Sequence, residues 1–130
     1  MTPIRDTSAL AVALAQPRAF LFLYVNWSGP AASSRSLVSK LLASWEASFP
    51  DQPVPCYVAD VSDGCGELWD ALVEWLTEEN RPVGQLLISG AGPLLWVRSG
   101  HVILHVLAPL SHSARELVSA SRAAFGLDAR

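Results

Sequence analysis

The feature that most constrains the fold is an unbroken apolar run, AFLFLYV, at residues 19–25. Its seven residues are far fewer than the roughly 20 that a membrane-spanning helix needs. The run is rich in aromatic side chains and does not alternate with polar positions, so both of its faces need to be covered. Strands of this kind are typical of parallel sheets with helices on both sides. The run therefore predicts the central strand of an α/β domain.

The segments around this strand alternate between helical and extended patterns. Leu10 and Leu14 lie four residues apart in the first helical segment, and Ser111 or Ser113 is expected to cap the last one. Helices are predicted at 7–15, 33–49, 66–79 and 114–125. Strands are predicted at 19–25 and 54–61, and two more within 93–107 form a β-hairpin. A further short strand at 2–4 is left open. This order predicts a three-layer α/β/α sandwich, and 130 residues are expected to form a single domain.

Charge and composition exclude several classes of function. The net charge is −3, and the nine Lys and Arg residues are scattered singly, so we expect no nucleic-acid partner. No run is long enough for a membrane span, and the Ala/Leu-rich N-terminus has amphipathic spacing with Asp6 before it, unlike a signal peptide. Two cysteines form neither a disulfide framework nor a zinc ligand set. We therefore expect a cytoplasmic protein without a metal or another cofactor.

Three stretches resemble the thioredoxin family. In the first, FLFLYVNWSGPAASSRSLVSKLLASW, the residues Trp27, Gly29 and Pro30 match the family's Trp-Cys-Gly-Pro-Cys turn, while Ser28 and Ala31 stand at the cysteine positions. The second, GAGPLLWVRSGHVILHV, is similar to the family's loop, cis-proline and hairpin, with Pro93 at the cis-proline position. The third, APLSHSARELVSASRAAF, resembles its last loop and helix. Together they cover most of residues 4–125 and imply a thioredoxin-like sandwich.

The family's chemistry is expected to be absent from this chain. Thiol–disulfide exchange needs one thiolate to attack and a second thiol to resolve the mixed disulfide, and Ser28 and Ala31 supply neither. The resemblance also implies a buried aspartate on the strand before the turn, and Phe22 occupies that position. The lysine that often accompanies this aspartate is missing from the neighbouring segment, CYVADV. We therefore interpret Trp27–Ala31 as a degenerate active-site motif and predict no oxidoreductase activity.

The turn and the proline that this chain shares with the family suggest a binding surface. In the family, the residue before the cis-proline pairs with extended peptides, which implies a groove for a peptide or a protein partner. The residues expected to line it are Trp27, Pro30, Ala91, Gly92, Pro93 and Ala108. Our leading hypothesis is a non-catalytic adaptor or chaperone-like module. The alternative is that Trp27 and Pro93 only hold the fold.

Cys65 gives a second hypothesis, a thiol-dependent enzyme that uses one cysteine. It lies between two glycines, after the second parallel strand and before a helix, so it is expected at the same sheet edge as Trp27. The simpler interpretation is an ordinary loop cysteine. Cys56 begins or precedes a strand and is expected to be buried. A disulfide between the two is dismissed because extended chain separates them by roughly 30 Å.

A third hypothesis is a structural or oligomer-forming domain. Trp69 and Trp75 cannot both lie on one stripe of the 66–79 helix, so either residues 80–92 cover the helix or a second copy does, which would give a homodimer. The region 66–92 is longer than in the thioredoxin family. Hydrolase chemistry at Ser28 is not expected, because it would need a histidine base and an acid. We expect Ser28 to be the N-cap of the helix that follows it. His101 and His105 lie about 13 Å apart on the hairpin, too far apart to share a metal.

Overall fold

The computed structural model describes residues 1–126. Helices run over Thr7–Leu14 (α1), Gly29–Ser48 (α2), Glu67–Glu78 (α3), Val83–Leu87 (α4) and Ala114–Phe125 (α5), and strands over Thr2–Ile4 (β1), Arg18–Tyr24 (β2), Cys56–Asp60 (β3), Leu94–Arg98 (β4) and His101–Val106 (β5). The five strands form one sheet in the order β1-β3-β2-β4-β5. The strand β2 is central, as the apolar run predicts, and it is parallel to β3 and antiparallel to β4.

Two cores lie on opposite faces of this sheet. Alternate residues of β2 point to opposite faces, and Leu21 and Leu23 belong to the core that α1, α3 and α4 cover. Phe20 and Phe22 belong to the other core, beneath α2 and α5. The predicted three-layer α/β/α sandwich is thus confirmed. Among residues 1–126, no helix is long and apolar enough to cross a membrane.

The passage after α3 contains a helix that the sequence did not predict. The short helix α4 contributes Leu86 and Leu87 to the core that contains Trp75 and Leu76 of α3. Trp75 is 9% exposed, and its Nε1–H donates to the Gly100 carbonyl at 2.9 Å. The helix α3 is therefore covered by residues 80–92 of the same chain, which is one of the two alternatives that the sequence leaves open. The homodimer stays a prediction.

The α2/α5 core is fixed by aromatic contacts and one buried hydrogen bond. Phe125 of α5 meets Phe20 edge-to-face at 5.4 Å between ring centroids. The Nε1–H of the fully buried Trp96 donates to Ser121 Oγ at 2.7 Å. Of the two predicted caps, Ser113 is the one that begins α5, in a capping box with Glu116. The first two contacts hold α5 against the sheet, and Phe125 also meets Trp45 of α2 at 6.1 Å between ring centroids. The first turn of α2 forms the site described next.

Candidate functional site

The degenerate motif forms the turn between β2 and α2, at the carboxyl end of the central strand. Ser28 is the N-cap of α2: its backbone is extended (φ −110°, ψ 124°), and its Oγ accepts the Ala31 N–H at 3.3 Å. Pro30 lies in the first turn, where its missing N–H costs nothing. The prediction that Ser28 caps this helix is confirmed.

The Ser28 hydroxyl is also bonded to a distant loop. Its O–H donates to the carbonyl oxygen of Gly90 at 2.5 Å, so the proton that a nucleophilic serine would give to a base is held by a backbone acceptor. Each of the three histidines that could serve as a base has another partner: His101 bonds to Glu79, His105 bonds to Arg81, and His112 lies 3.7 Å from Glu116. Ser28 is therefore arranged as a structural residue.

A second serine binds the same loop. Ser34, six residues further along the chain in α2 and fully buried, donates its hydroxyl to the Ala91 carbonyl at 3.0 Å. Gly92 packs so closely on the helix that a Cβ there would lie 2.9 Å from Ser34 Cβ and 3.0 Å from Ala31 Cα. We call these contacts between Ser28, Ala31 and Ser34 and residues 90–92 the serine clasp. It joins the motif to the segment that leads into β4.

The structure corrects the prediction for Pro93. No peptide bond among residues 1–126 is cis, so the cis-proline expected there is wrong. Gly92 takes a left-handed conformation (φ +68°), which turns the chain into β4 through a trans bond. Pro93 is buried, and its carbonyl accepts the Leu23 N–H at 3.0 Å, which starts the pairing of β2 with β4.

The six residues predicted to line a groove differ in accessibility. Trp27 is 61% exposed and Pro30 is also exposed. Ala91 and Ala108 are half-buried, whereas Gly92 and Pro93 are buried. The carbonyl oxygens of Gly90 and Ala91 each accept a hydrogen bond from the serine clasp, so each of them keeps one free lone pair. The exposed part of the predicted groove is thus an apolar side-chain surface, and its use for binding stays a prediction.

Three exposed apolar side chains lie at the end of the sheet that holds the motif. Among residues 1–126, the large apolar residues that are exposed are Met1, Val12, Trp27, Ile88 and Leu110. Trp27 follows β2, Ile88 lies in the loop before the antiparallel β4, and Leu110 follows β5, so the topology places all three at the same edge. We call Trp27, Ile88 and Leu110 the apolar edge. Ile88 and Leu110 are not expected from the sequence, because Ile88 directly follows the buried Leu86 and Leu87 and Leu110 is a single apolar residue between a proline and a serine.

Beneath the motif, the sheet lacks the ionisable group that the resemblance implies. Phe22 is fully buried and is paired with Val58 of β3. Both side chains belong to the apolar core beneath α2. Neither Phe22 nor Val58 has an ionisable group that could pass a proton from the sheet to the turn.

The two thiols have different surroundings, and both are free. Burial raises the pKa of the Cys56 thiol to about 12, although the N-terminal ammonium partly offsets this effect. Cys65 is exposed, as predicted, and lines a cavity of about 370 Å³ whose other lining side chains include Arg5, Asp63 and Glu67 but no second cysteine. Within residues 1–126, no group of three or more His, Cys, Asp or Glu side chains is placed to hold a metal ion.

A polar cluster attaches the end of α3 to the edge strand β5. Glu79 accepts the Val102 N–H at 2.6 Å, and Arg81 donates to the Val102 carbonyl at 2.7 Å. Burial would raise the pKa of Glu79, but the hydrogen bonds from His101 and Val102 outweigh it and hold the pKa below its usual value. Burial, assisted by the nearby Arg81, lowers the pKa of His105. This cluster satisfies both backbone groups of Val102 at an edge that would otherwise be open.

Comparison with solved structures identifies the fold. A mutant thioredoxin from Halobacterium salinarum superposes with a TM-score of 0.63 at 16% identity, covering 98% of this chain and 92% of that one. Mitochondrial thioredoxin 3 from Saccharomyces cerevisiae gives a TM-score of 0.57 at 15% identity, covering 92% and 94%. Thioredoxin O2 from Arabidopsis thaliana gives 0.55 at 15% identity, covering 94% and 91%. No protein-family model and no curated protein sequence matches the chain.

Proposed function

Because the chain has the thioredoxin fold with Ser28 and Ala31 where the resemblance places the paired cysteines, we propose that it is a non-catalytic module that binds another protein. The observation that carries the proposal is the apolar edge. Trp27 exposes 61% of its surface next to a turn whose backbone is fixed by the serine clasp. A large aromatic side chain on a rigid support is a common anchor of protein interfaces.

The loops beside the apolar edge give the partner a preferred charge. The Asn26 N–H donates to Ser62 Oγ at 2.8 Å, which joins the loop of Trp27 to the loop after β3. That second loop region carries Asp60, Asp63 and Glu67 around a cavity in which, among residues 1–126, Arg5 is the one basic lining residue. An apolar segment with flanking Lys or Arg residues is therefore the preferred ligand.

The proposal is tested with a peptide library displayed on phage, selected on the immobilised protein. Affinities of the selected peptides are then measured for the wild type, Trp27→Ala and Val12→Ala by isothermal titration calorimetry. Val12 is 57% exposed on α1, away from the apolar edge, and is the matched control. We expect Trp27→Ala to weaken binding by about 30-fold or more, the range of an interface anchor, and Val12→Ala to leave it unchanged.

Two outcomes would contradict the proposal. One is a wild-type protein that selects no peptide above background. The other is a set of peptides that bind Trp27→Ala as tightly as the wild type. A second copy of this chain is the alternative occupant of the apolar edge, and light scattering would then show a dimer that Trp27→Ala dissociates.

The exposure of Cys65 is the observation that favours a second candidate, a single-thiol enzyme. Its cavity contributes no resolving cysteine, so a mixed disulfide formed there would need an external thiol for release. Reduction of insulin disulfides by the wild type but not by Cys65→Ser would favour this candidate over the binding module.

A further inference from the structure

The polar cluster at the end of α3 is positioned by the way this helix ends. Asn80 takes the left-handed conformation (φ +56°) that is common just after a helix, and the Arg81 N–H bonds back to the Leu76 carbonyl at 2.9 Å. From this turn Arg81 reaches β5, where its Nη2 donates to the Val102 carbonyl at 2.7 Å and its Nη1 lies 3.1 Å from His105 Nδ1. One guanidinium therefore contacts a backbone carbonyl and an imidazole at the same time.

The contact with Arg81 determines which nitrogen of His105 carries hydrogen. An arginine side chain has donors and no acceptor, so the Nδ1 atom that faces it must present a lone pair. Neutral His105 therefore keeps its hydrogen on Nε2. A proton taken up from solvent would bind to Nδ1, which would remove the acceptor and place an imidazolium beside a guanidinium.

The elements packed around His105 bring little negative charge to it. The residue opposite it on β4 is Leu95, and the charged residue of that strand, Arg98, lies at the other end. The helices α1 and α4 on the same face of the sheet contain no charged residue, and the carboxylates of α3 are exposed to solvent. Burial, assisted by the Arg81 charge, accordingly lowers the pKa of His105.

The carboxylate that follows α3 does not reverse this effect. Glu79 already accepts hydrogen bonds from His101 and from the Val102 N–H. Burial would raise the pKa of Glu79, but these hydrogen bonds hold it below its usual value, so Glu79 keeps its charge while His105 titrates. His101 is the other titratable group here, and 75% of its side chain is exposed, where an ion pair contributes little.

We propose that protonation of His105 releases residues 79–81 from β5, so that the cluster is a pH-sensitive latch on this edge of the sheet. The loss of the acceptor and the repulsion between two cations both move the Arg81 guanidinium away. The Val102 carbonyl then loses its partner, and the backbone of β5 is open to solvent at that point. The latch does not depend on the binding function proposed for the apolar edge.

The test uses NMR of the whole protein between about pH 7.5 and about pH 5, the range in which histidines usually titrate. The nitrogen chemical shifts of the His105 ring report its protonation, and NOEs from β5 amide protons to the Glu79 and Arg81 side chains report the closed latch. We expect the Nε2–H form with these NOEs at the higher pH, and loss of the NOEs once His105 is protonated. The NOE between the Trp75 indole N–H and Gly100 is the internal control and persists, because neither group titrates.

Variants of the two histidines and of the arginine separate the contributions. His105→Asn places an amide oxygen near the position of Nδ1 and takes up no proton, so it keeps the NOEs at the lower pH. His101→Asn is the matched control and loses them as the wild type does. Arg81→Gln removes the opposing charge and should raise the pKa of His105, a readout that remains if His105→Asn does not fold.

Several results would overturn the latch. His105 would have to stay neutral down to about pH 5, carry its hydrogen on Nδ1 when neutral, or become protonated while the NOEs persist. Loss of the NOEs in His105→Asn, or their retention in His101→Asn, would show that another group responds to pH. An unchanged pKa of His105 in Arg81→Gln would also contradict the proposal.

Discussion

Replacing Gly92 with alanine tests whether the serine clasp depends on close contact between backbone and helix. The new Cβ would lie 2.9 Å from Ser34 Cβ, closer than real Cβ atoms come to a neighbour, and 3.0 Å from Ala31 Cα, tighter than most real contacts. One of these neighbours is helix backbone, so α2 and the segment before β4 would have to separate. Such overpacking costs about 1–3 kcal/mol. The left-handed conformation at φ +68° adds about 1–2 kcal/mol for any side chain.

Gly64→Ala is the matched control, because it isolates the conformational part of this cost. Gly64 has nearly the same φ, +66°, and a Cβ there would meet nothing within 4 Å. Urea unfolding followed by tryptophan fluorescence gives both free energies of unfolding. We expect Gly64→Ala to lose about 1–2 kcal/mol and Gly92→Ala to lose about 1–3 kcal/mol more. If the two variants agree within about 0.5 kcal/mol, less than any overpacking cost, the close contact is not part of the fold's stability.

Three further predictions follow from other residues. Ser34→Ala removes a buried donor and leaves the Ala91 carbonyl unsatisfied, so it should lower the free energy of unfolding in urea by about 1–3 kcal/mol. The control, Ser36→Ala at an exposed position, should lower it by less than about 0.5 kcal/mol, and equal losses would refute a role for the Ser34 hydrogen bond. The pKa of His105 in the folded protein lies below its ordinary value of 6.5, so the unfolded chain takes up the proton first and the melting temperature should fall as the pH drops from 6.5 toward the folded pKa. If the melting temperature of His105→Gln falls by the same amount over this pH range, the prediction is wrong. A thiol reagent should label one cysteine of the native protein, Cys65, and label Cys56 only after unfolding, so rapid labelling of two thiols would show that Cys56 is not buried.

The elements that the sequence predicted well are those whose signal lies within one segment. The 19–25 run indicates a central strand because burial on both faces removes polar positions from the sequence itself. Ser28 and Ser113 are recognisable caps because a cap bonds to a backbone group within three residues. The boundaries of α3, predicted as 66–79 and observed as Glu67–Glu78, agree because helical periodicity extends over three turns.

The features that the sequence did not reveal depend on distant partners or on short segments. The helix α4 has five residues, too few for a periodic pattern, and it lies in a passage punctuated by glycine and proline. The serine clasp joins residues 57 and 62 positions apart, and no local pattern marks which carbonyls two serines will bind. The isomer before Pro93 was inferred from the resemblance, whereas Gly92 provides a turn with a trans bond. The apolar edge is assembled from three loops, so only the fold places it together.

We propose that the Trp27–Ala31 turn is a structural and binding element and that the chain does not exchange disulfides. Reduction of insulin disulfides by dithiothreitol, followed by turbidity in the presence of the wild type or Cys65→Ser, tests this. We expect both proteins to give the rate of dithiothreitol alone, since Ser28 holds its proton on the Gly90 carbonyl and Ala31 has no thiol. A wild-type rate above this background that Cys65→Ser abolishes would contradict it and would identify Cys65 as the reactive thiol.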